Sequence, residues 1–276
     1  MYEIYLNDDF KRLWRNRDPF DAAFGLSGES FRKVKSRHTF RIELEGRGYF
    51  VKLHQGIGFA EYFKNLLQLK QPVTDAGQEY RALLHLKQHG VDTMTPAACG
   101  CRGTIPFART SFLITEELTG TVSLEDYCRN WKNNPPPFRI RRALIRKLGL
   151  MAGKMHRSGL NHRDCYICHF LLREGTENTP DPELYVIDLH RAQIRRKVPR
   201  HYWVKDVAGL WFSAMDAGLT RHDIFCFLKA YFQSGLHSIR KQYATFLKDA
   251  DEAARRLYRK DHNGKTPPGD TEIQPF

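Results

Sequence analysis

The sequence predicts an α+β fold in two lobes: an N-terminal lobe of antiparallel sheet with one helix, then a mainly helical C-terminal lobe. Three observations predict it. Residues 31–53 hold three short alternating runs, the last two separated by Gly46-Arg47-Gly48, the pattern of an antiparallel meander. From Phe138 onward apolar residues recur at helical spacing. Within that helical part stands a polar loop, 161–172, followed by the apolar run Leu184-Tyr185-Val186-Ile187 ending on Asp188.

The chain has 276 residues and 41% hydrophobic content, enough to bury one or two cores. No apolar run approaches the ~20 residues of a membrane span. Met1 to Phe10 contains Glu3, Asp8 and Asp9 and lacks the apolar centre of a secretory signal. The expected location is cytoplasmic, and the six cysteines are expected to be thiols. Lys+Arg 44 against Asp+Glu 31 gives a net charge of +13, which calls for an anionic partner. Nucleic acid, an acidic membrane surface, a phosphorylated or carboxylated substrate, and an acidic protein such as a carrier protein all qualify. The basic residues are spread out and not interleaved with aromatics on one element, which argues against nucleic acid.

Residues 1–30 read as a polar-aromatic lead-in in which Pro19 interrupts any helix. Strands are expected over Phe31–Lys35, Thr39–Leu44 and Tyr49–Leu53, with Lys52 near the end of the last. Asp75 to His89 reads as a helix that Thr74 can cap, with Glu79, Tyr80, Leu83, Leu84 and Leu86 on one face and Gly90 ending it. Thr93 to Cys101 reads as a connector. Thr110 to Thr115 is a β-branched and aromatic run followed by Glu116-Glu117-Leu118, where the first lobe should close. Ser123 can cap a short helix to Trp131. Pro135-Pro136-Pro137 opens a long helix, Phe138 to Arg157, with Leu144, Leu148, Met151, Ala152 and Met155 as its buried stripe. Helices are also expected over Trp203–Met215, Asp223–Phe232 and Ile239–Tyr258. The first lobe is assigned to 1–118, the second to 119–260, and the polar, Pro- and Gly-containing stretch 261–276 to a mobile tail.

The loop carries the chemistry. His162-Arg163-Asp164 begins the pattern H-R-D-L-x-x-x-N of the protein-kinase catalytic loop, whose Asp is the base and whose Asn binds magnesium. Here His169 stands in the Asn position, five residues after Asp164. Asp188 stands where a kinase carries the metal-binding D-F-G. Lys52 matches the lysine that reaches the α/β-phosphates of ATP, and Glu79 its helix partner. Glu116 and Leu118 fall in the linker whose backbone reads the adenine edge. No G-x-G-x-x-G lies between the first strands, so the side chains of Lys35, Ser36 and Arg37 are candidates to cover the phosphates. Asp206 is either a first-turn helix acid or a buried brace for the catalytic loop. Cys165-Tyr166-Ile167-Cys168-His169 is also literally C-x-x-C-H, a haem attachment pattern. It has no exported context, and a zinc site would lack a second ligand pair. Buried thiols are the simpler reading.

Asn161 through Leu172 resembles the catalytic segment of the lipopolysaccharide core heptose kinases (the WaaP or RfaP family) of Gram-negative bacteria. The resemblance runs from the strands near Phe31 to the helix at Lys205–Trp211, is strongest over 161–172, and carries nothing past residue 240. It implies an atypical protein-kinase-like fold that transfers the γ-phosphate of ATP to O4 of the first heptose (HepI) of the inner core. Asp164, followed by the flanking Arg163 and by Lys52, would form the catalytic set. Asp188 and His169 would hold Mg²⁺, with Mn²⁺ as the alternative ion. The acceptor would be the Kdo-heptose-lipid A inner core, met at the cytoplasmic face of the inner membrane, whose anionic surface suits the basic chain. Arg191, Arg195, Arg196, Lys197 and Arg200 would grip its anions. Two other readings are a protein (tyrosine) kinase, which the missing A-P-E segment opposes, and a non-catalytic kinase fold that binds an anionic partner.

Overall fold

The computed structural model describes residues 3–34, 36–56, 75–105 and 108–268. The expectations at Lys35, at Thr74 as a cap and over 269–276 lie outside the described residues. Two compact units emerge. One is drawn from Met1–His85, Met94–Thr119 and Leu189–Arg191, the other from Leu86–Thr93, Gly120–Asp188 and Ala192–Phe276.

The first unit runs β1 (Glu3–Leu6), α1 (Asp8–Leu13), α2 (Pro19–Phe24), β2 (Glu29–Val34), β3 (Arg37–Leu44), β4 (Arg47–His54), α3 (Gly77–Gln88), β5 (Pro96–Arg102) and β6 (Thr110–Glu116). Its six strands form one sheet in the order β1-β5-β6-β4-β3-β2, every pair antiparallel. Two positive-φ residues, Glu45 (φ 50) and Gly46 (φ 74), turn β3 into β4, the conformation that suits the twist of a tight hairpin. On β4 the alternation is regular: Tyr49, Val51 and Leu53 are buried while Phe50 and Lys52 are not. Tyr49, Val51 and Leu53 join Phe10, Trp14, Phe20, Phe40, Phe112 and Ile114 in one core. The period of two therefore turns Lys52 to the opposite face.

Two expectations change in this unit. Pro19 does not interrupt a helix but starts one: it is the first residue of α2, and the Asp18 carboxylate caps the N–H groups of Phe20 and Asp21. A proline fits there because that N–H has no helical partner. The connector at 93–101 is largely a strand, β5, between β1 and β6. Its small residues hide a strand signal, and they are small for a reason. A Cβ on Gly100 would lie 2.4 Å from the Phe112 ring.

The second unit holds β7 (Thr121–Ser123), α4 (Leu124–Cys128), α5 (Phe138–Arg157), β8 (Leu160–Asn161), β9 (Phe170–Arg173), β10 (Leu184–Val186), β11 (Gln193–Ile194), α6 (Arg200–Ala214), α7 (Arg221–Phe232) and α8 (Leu236–Asp261). Its strands form two small sheets, β10-β9-β7 and β11-β8. Ser123 caps α4 by accepting from the Asp126 N–H at 3.0 Å. α5 buries Leu144, Met151, Ala152 and Met155 and packs on α7, as α6 packs on α8. α5 ends at Ser158-Gly159, with Gly159 at φ +90. β8 then delivers the chain to the catalytic-loop motif. The mixed α/β build, with an antiparallel sheet and several helices, is the fold class expected, but α1 and α2 add two helices to the one expected in the first unit.

Candidate active site

In the first unit, Lys52 Nζ donates to Glu79 Oε1 at 2.7 Å, and Glu79 is 1% exposed. A carboxylate so buried is tolerated because it is paired; removing one partner of such a pair costs about 3–5 kcal/mol. The strand fixes the lysine's face and the first turn of α3 fixes the glutamate. His54, the last residue of β4, is buried. Burial, then the nearby Arg37 and Lys52 charges, push its pKa down to about 3, so the ring is neutral. Arg37 lies opposite His54 in the β3–β4 register. The Ser36 carbonyl accepts from the Gln55 N–H at 2.9 Å. Glu116, half-buried, closes β6, and its N–H donates to the Thr95 carbonyl at 2.9 Å. Between Glu116 and Leu118, Glu117 is occupied in a two-point ion pair with Arg41, both contacts 2.8 Å.

In the second unit the loop is built around Asp206. Its carboxylate accepts the N–H of His162 at 2.5 Å and the N–H of Arg163 at 2.8 Å, and His156 Nε2 lies 3.2 Å away. Arg163 has φ 73 and Asp188 φ 60. A left-handed backbone costs a non-glycine residue roughly 1–2 kcal/mol, so Asp206 stabilises a conformation the chain would not choose alone. α6 begins at Arg200, which puts Asp206 in the second turn and favours the bracing role over the dipole role. His156 Nδ1 meets Tyr231 Oη at 2.6 Å, and Trp203 Nε1 donates to the same hydroxyl. Tyr231 therefore donates to His156 Nδ1, and His156 Nε2–H donates to Asp206. Sequence reasoning missed His156, Tyr231 and Ser213, whose Oγ accepts the Ile167 N–H at 2.9 Å. The one local hint was His156 standing at the end of the helix that leads into the loop.

His162 is buried, its pKa lowered by that burial, and its Nε2 donates to the Ile187 carbonyl at 2.9 Å. This bond ties the loop to the segment carrying Asp188. His162 stacks on His169, ring centroids 5.5 Å apart and planes 7° apart. His169 Nδ1 lies 2.7 Å from the Asp164 carbonyl, so it must be the N–H donor. A neutral ring then presents a bare lone pair at Nε2, 3.6 Å from Asp188 Oδ2. Two acceptors facing each other are stable only with a proton or a cation between them. The pair suits a divalent ion that takes few protein ligands and completes its shell with water and phosphate oxygens, the habit of Mg²⁺. The imidazole nitrogen is a softer donor than the oxygens Mg²⁺ prefers, which keeps Mn²⁺ as the alternative ion. No group of three or more His, Cys, Asp or Glu is arranged for a metal among the described residues. Cys165 is buried beside α6, and burial raises its pKa well above the ordinary thiol range; burial also pushes Cys168 up to about 11. Both are protonated thiols.

The five basic residues after Asp188 do not form one group. Arg195 is engaged with Asn161 Oδ1 and Gln193 Oε1, both at 2.7 Å, and stacks over Tyr202. Arg200 pairs with Asp249. Arg191 lies in a short 3-10 turn, Leu189–Arg191, that belongs to the first unit. Arg196 and Lys197 are exposed side by side.

Similarity to known proteins is extensive. The profile of the lipopolysaccharide kinase (Kdo/WaaP) family matches residues 21–231. The lipopolysaccharide core heptose(I) kinase WaaP of Pseudomonas aeruginosa is 48% identical over 256 residues, covering 92% of this chain and 96% of the relative. The protein of the same name from Escherichia coli is 47% identical over 257 residues, with 92% and 96% covered. A solved structure of WaaP in complex with acyl carrier protein superposes with a TM-score of 0.81 at 44% identity, covering 93% of this chain and 99% of that one.

Proposed function

The chain belongs to the lipopolysaccharide kinase (Kdo/WaaP) family and is an ATP-dependent phosphotransferase, and from that premise we propose that it acts as a lipopolysaccharide core heptose(I) kinase, transferring the γ-phosphate of ATP to O4 of the first heptose. Asp164 accepts the proton of the attacking sugar hydroxyl and orients its oxygen, a contribution of about 10²–10⁴ in rate. Arg163 sets the backbone that aims Asp164. Lys52, its rotamer held by Glu79, positions the α/β-phosphates; Lys35, Ser36 and Arg37 cover them. The backbone at Glu116 and Leu118 reads the adenine edge. Asp188 and His169 would hold a divalent ion, which would supply charge neutralisation for the transferred phosphoryl group.

The observation that carries this reading is the double engagement of His169: Nδ1 on the Asp164 carbonyl, Nε2 facing the Asp188 carboxylate. One ring joins the backbone of the proposed base to the proposed metal ligand. Arg196 and Lys197 are the first candidates to meet the acceptor's carboxylates and phosphates, with Arg191, Arg195 and Arg200 around them in sequence. Among the described residues no helix is long and apolar enough to cross a membrane. The proposed location is peripheral, at the cytoplasmic face of the inner membrane. The +13 charge also supports an acidic carrier protein as a partner, the kind of protein bound in the related structure.

The test is mass spectrometry of dephosphorylated inner-core lipopolysaccharide after incubation with the protein, ATP and Mg²⁺. Phosphate should appear on the first heptose, and Asp164→Ala should lower the rate by at least about 10²-fold. Absence of sugar phosphate, or an Asp164→Ala enzyme as fast as its parent, would reject the assignment.

A further inference from the structure

One strongly basic face of the second unit is not used by the function proposed above. On α5 the exposed residues Arg139, Arg142 and Arg146 follow at spacings of three and four, which places them on one side of the helix. Phe138 stands at the N-terminal end of that row and is 64% exposed. Exposed Lys229 on α7 extends the row. Two cavities flank it. One, about 580 Å³, is lined by Pro137, Phe138, Arg139, Arg142 and Arg146. The other, about 490 Å³, is lined by Phe138, Arg142, Arg146, Phe225, Lys229 and Leu236. Phe138, Arg142 and Arg146 are common to both and form the ridge between them.

Among the described residues no ion pair holds Arg139, Arg142, Arg146 or Lys229, and Arg142 lies 6.0 Å from the Phe138 ring centre. The acids nearby are already paired: Asp223 with Arg141, and Asp181 with Lys147 at 3.0 Å. Like charges three and four apart on a helix repel, so the row is stabilised by whatever anion meets it.

We propose that this face docks on the surface of an anionic phospholipid bilayer, with Phe138 entering the headgroup boundary and the arginines and Lys229 meeting lipid phosphates. Arginine and lysine flanking an exposed aromatic is the composition of an interfacial contact. A bilayer is the occupant because Phe138, 64% exposed at the end of the cationic row, stands out from the surface where it can enter a headgroup boundary. The inference rests on the functional reading insofar as a lipid-anchored acceptor brings this chain to a membrane.

The experiment is co-sedimentation of the full chain with phosphatidylethanolamine vesicles containing phosphatidylglycerol, against vesicles of phosphatidylcholine alone. The parent should bind the anionic vesicles selectively. The exposed-residue variant Arg139→Gln/Arg142→Gln/Arg146→Gln should bind them about 100-fold more weakly, from roughly one factor of five per cation, with its thermal unfolding unchanged. Phe138→Ser should weaken binding with the charge intact. Phosphorylation of a delipidated, water-soluble core oligosaccharide should proceed equally in parent and triple variant, while phosphorylation of acceptor in vesicles should slow in the variant. Equal vesicle binding by parent and triple variant overturns the proposal, including the case in which this face serves an acidic protein instead. Failure of both proteins to phosphorylate the oligosaccharide would sink the functional reading and leave the vesicle comparison to decide this one.

Discussion

At the residue scale, two buried polar side chains make the sharpest predictions. His54 is held neutral by burial, with its pKa near 3 against an ordinary 6.5. An unfolded chain takes up a proton at His54 below pH 6.5; the folded chain does not until about pH 3. The unfolded state therefore binds more protons across that window, and stability falls as pH falls through it. By pH 5 the loss from this group should be about 2 kcal/mol relative to pH 7, read by denaturant unfolding. His54→Gln should flatten that slope; an unchanged slope would mean His54 is not the group responsible. Asp206 accepts two loop N–H groups and one imidazole N–H. Asp206→Ala orphans buried donors at about 1–3 kcal/mol each. It should lower unfolding free energy by several kcal/mol and reduce activity in the protein that still folds. Full activity with unchanged stability would remove Asp206 from its bracing role. Lys52, Glu79, Asp164 and Asp188 could be singled out together in the sequence because they follow the chain order of the kinase motifs. His156 and Tyr231 were not, because a hydrogen-bond relay through a helix leaves no spacing signature.

At the element scale, the long amphipathic helix α5 was legible from its stripe, and β3 and β4 from alternation. β1, α1, α2 and β5 were not. α1 and α2 are six residues each, too short for periodicity, and they form because Asn7 and Asp18 cap them and because Phe10 and Phe20 find a core to enter. β5 was hidden by small residues chosen for the Phe112 ring beside it. α5 and α7 show the same logic at a helix crossing. A Cβ on Gly153 would stand 2.3 Å from the Tyr231 carbonyl oxygen, and on Gly149 2.8 Å from that of Phe227. Alanine favours a helix interior over glycine by about 1 kcal/mol, yet forcing two packed helices apart costs about 1–3 kcal/mol. Gly153→Ala should therefore destabilise in a thermal unfolding experiment. It should also disturb the Tyr231–His156–Asp206 relay, and so activity. Stabilisation by Gly153→Ala would show that the crossing has room to spare.

At the scale of the whole molecule, the net charge of +13 calls for an anionic partner but does not say where each cation is spent. The stretch 191–200 reads in sequence as one basic cluster; in the fold it is divided. Arg195 is consumed by Asn161, Gln193 and Tyr202, and Arg200 by Asp249, whereas Arg196 and Lys197 face solvent. Only cations without an internal partner can add to the attraction for an anionic acceptor, at about 1 kcal/mol each near an anionic surface. Arg196→Gln/Lys197→Gln should therefore raise acceptor KM by about 10–30-fold with little change in kcat, and the parent's advantage should shrink as salt is added, since exposed charges are screened. Arg195→Gln should act differently: it removes the hydrogen bond to Asn161 on β8 and the local one to Gln193 on β11, so its first effect is lost stability. Steady-state kinetics at two salt concentrations separate the cases. An unmoved KM in the double variant, or a KM effect confined to Arg195→Gln, would show that the acceptor is gripped elsewhere on this basic surface.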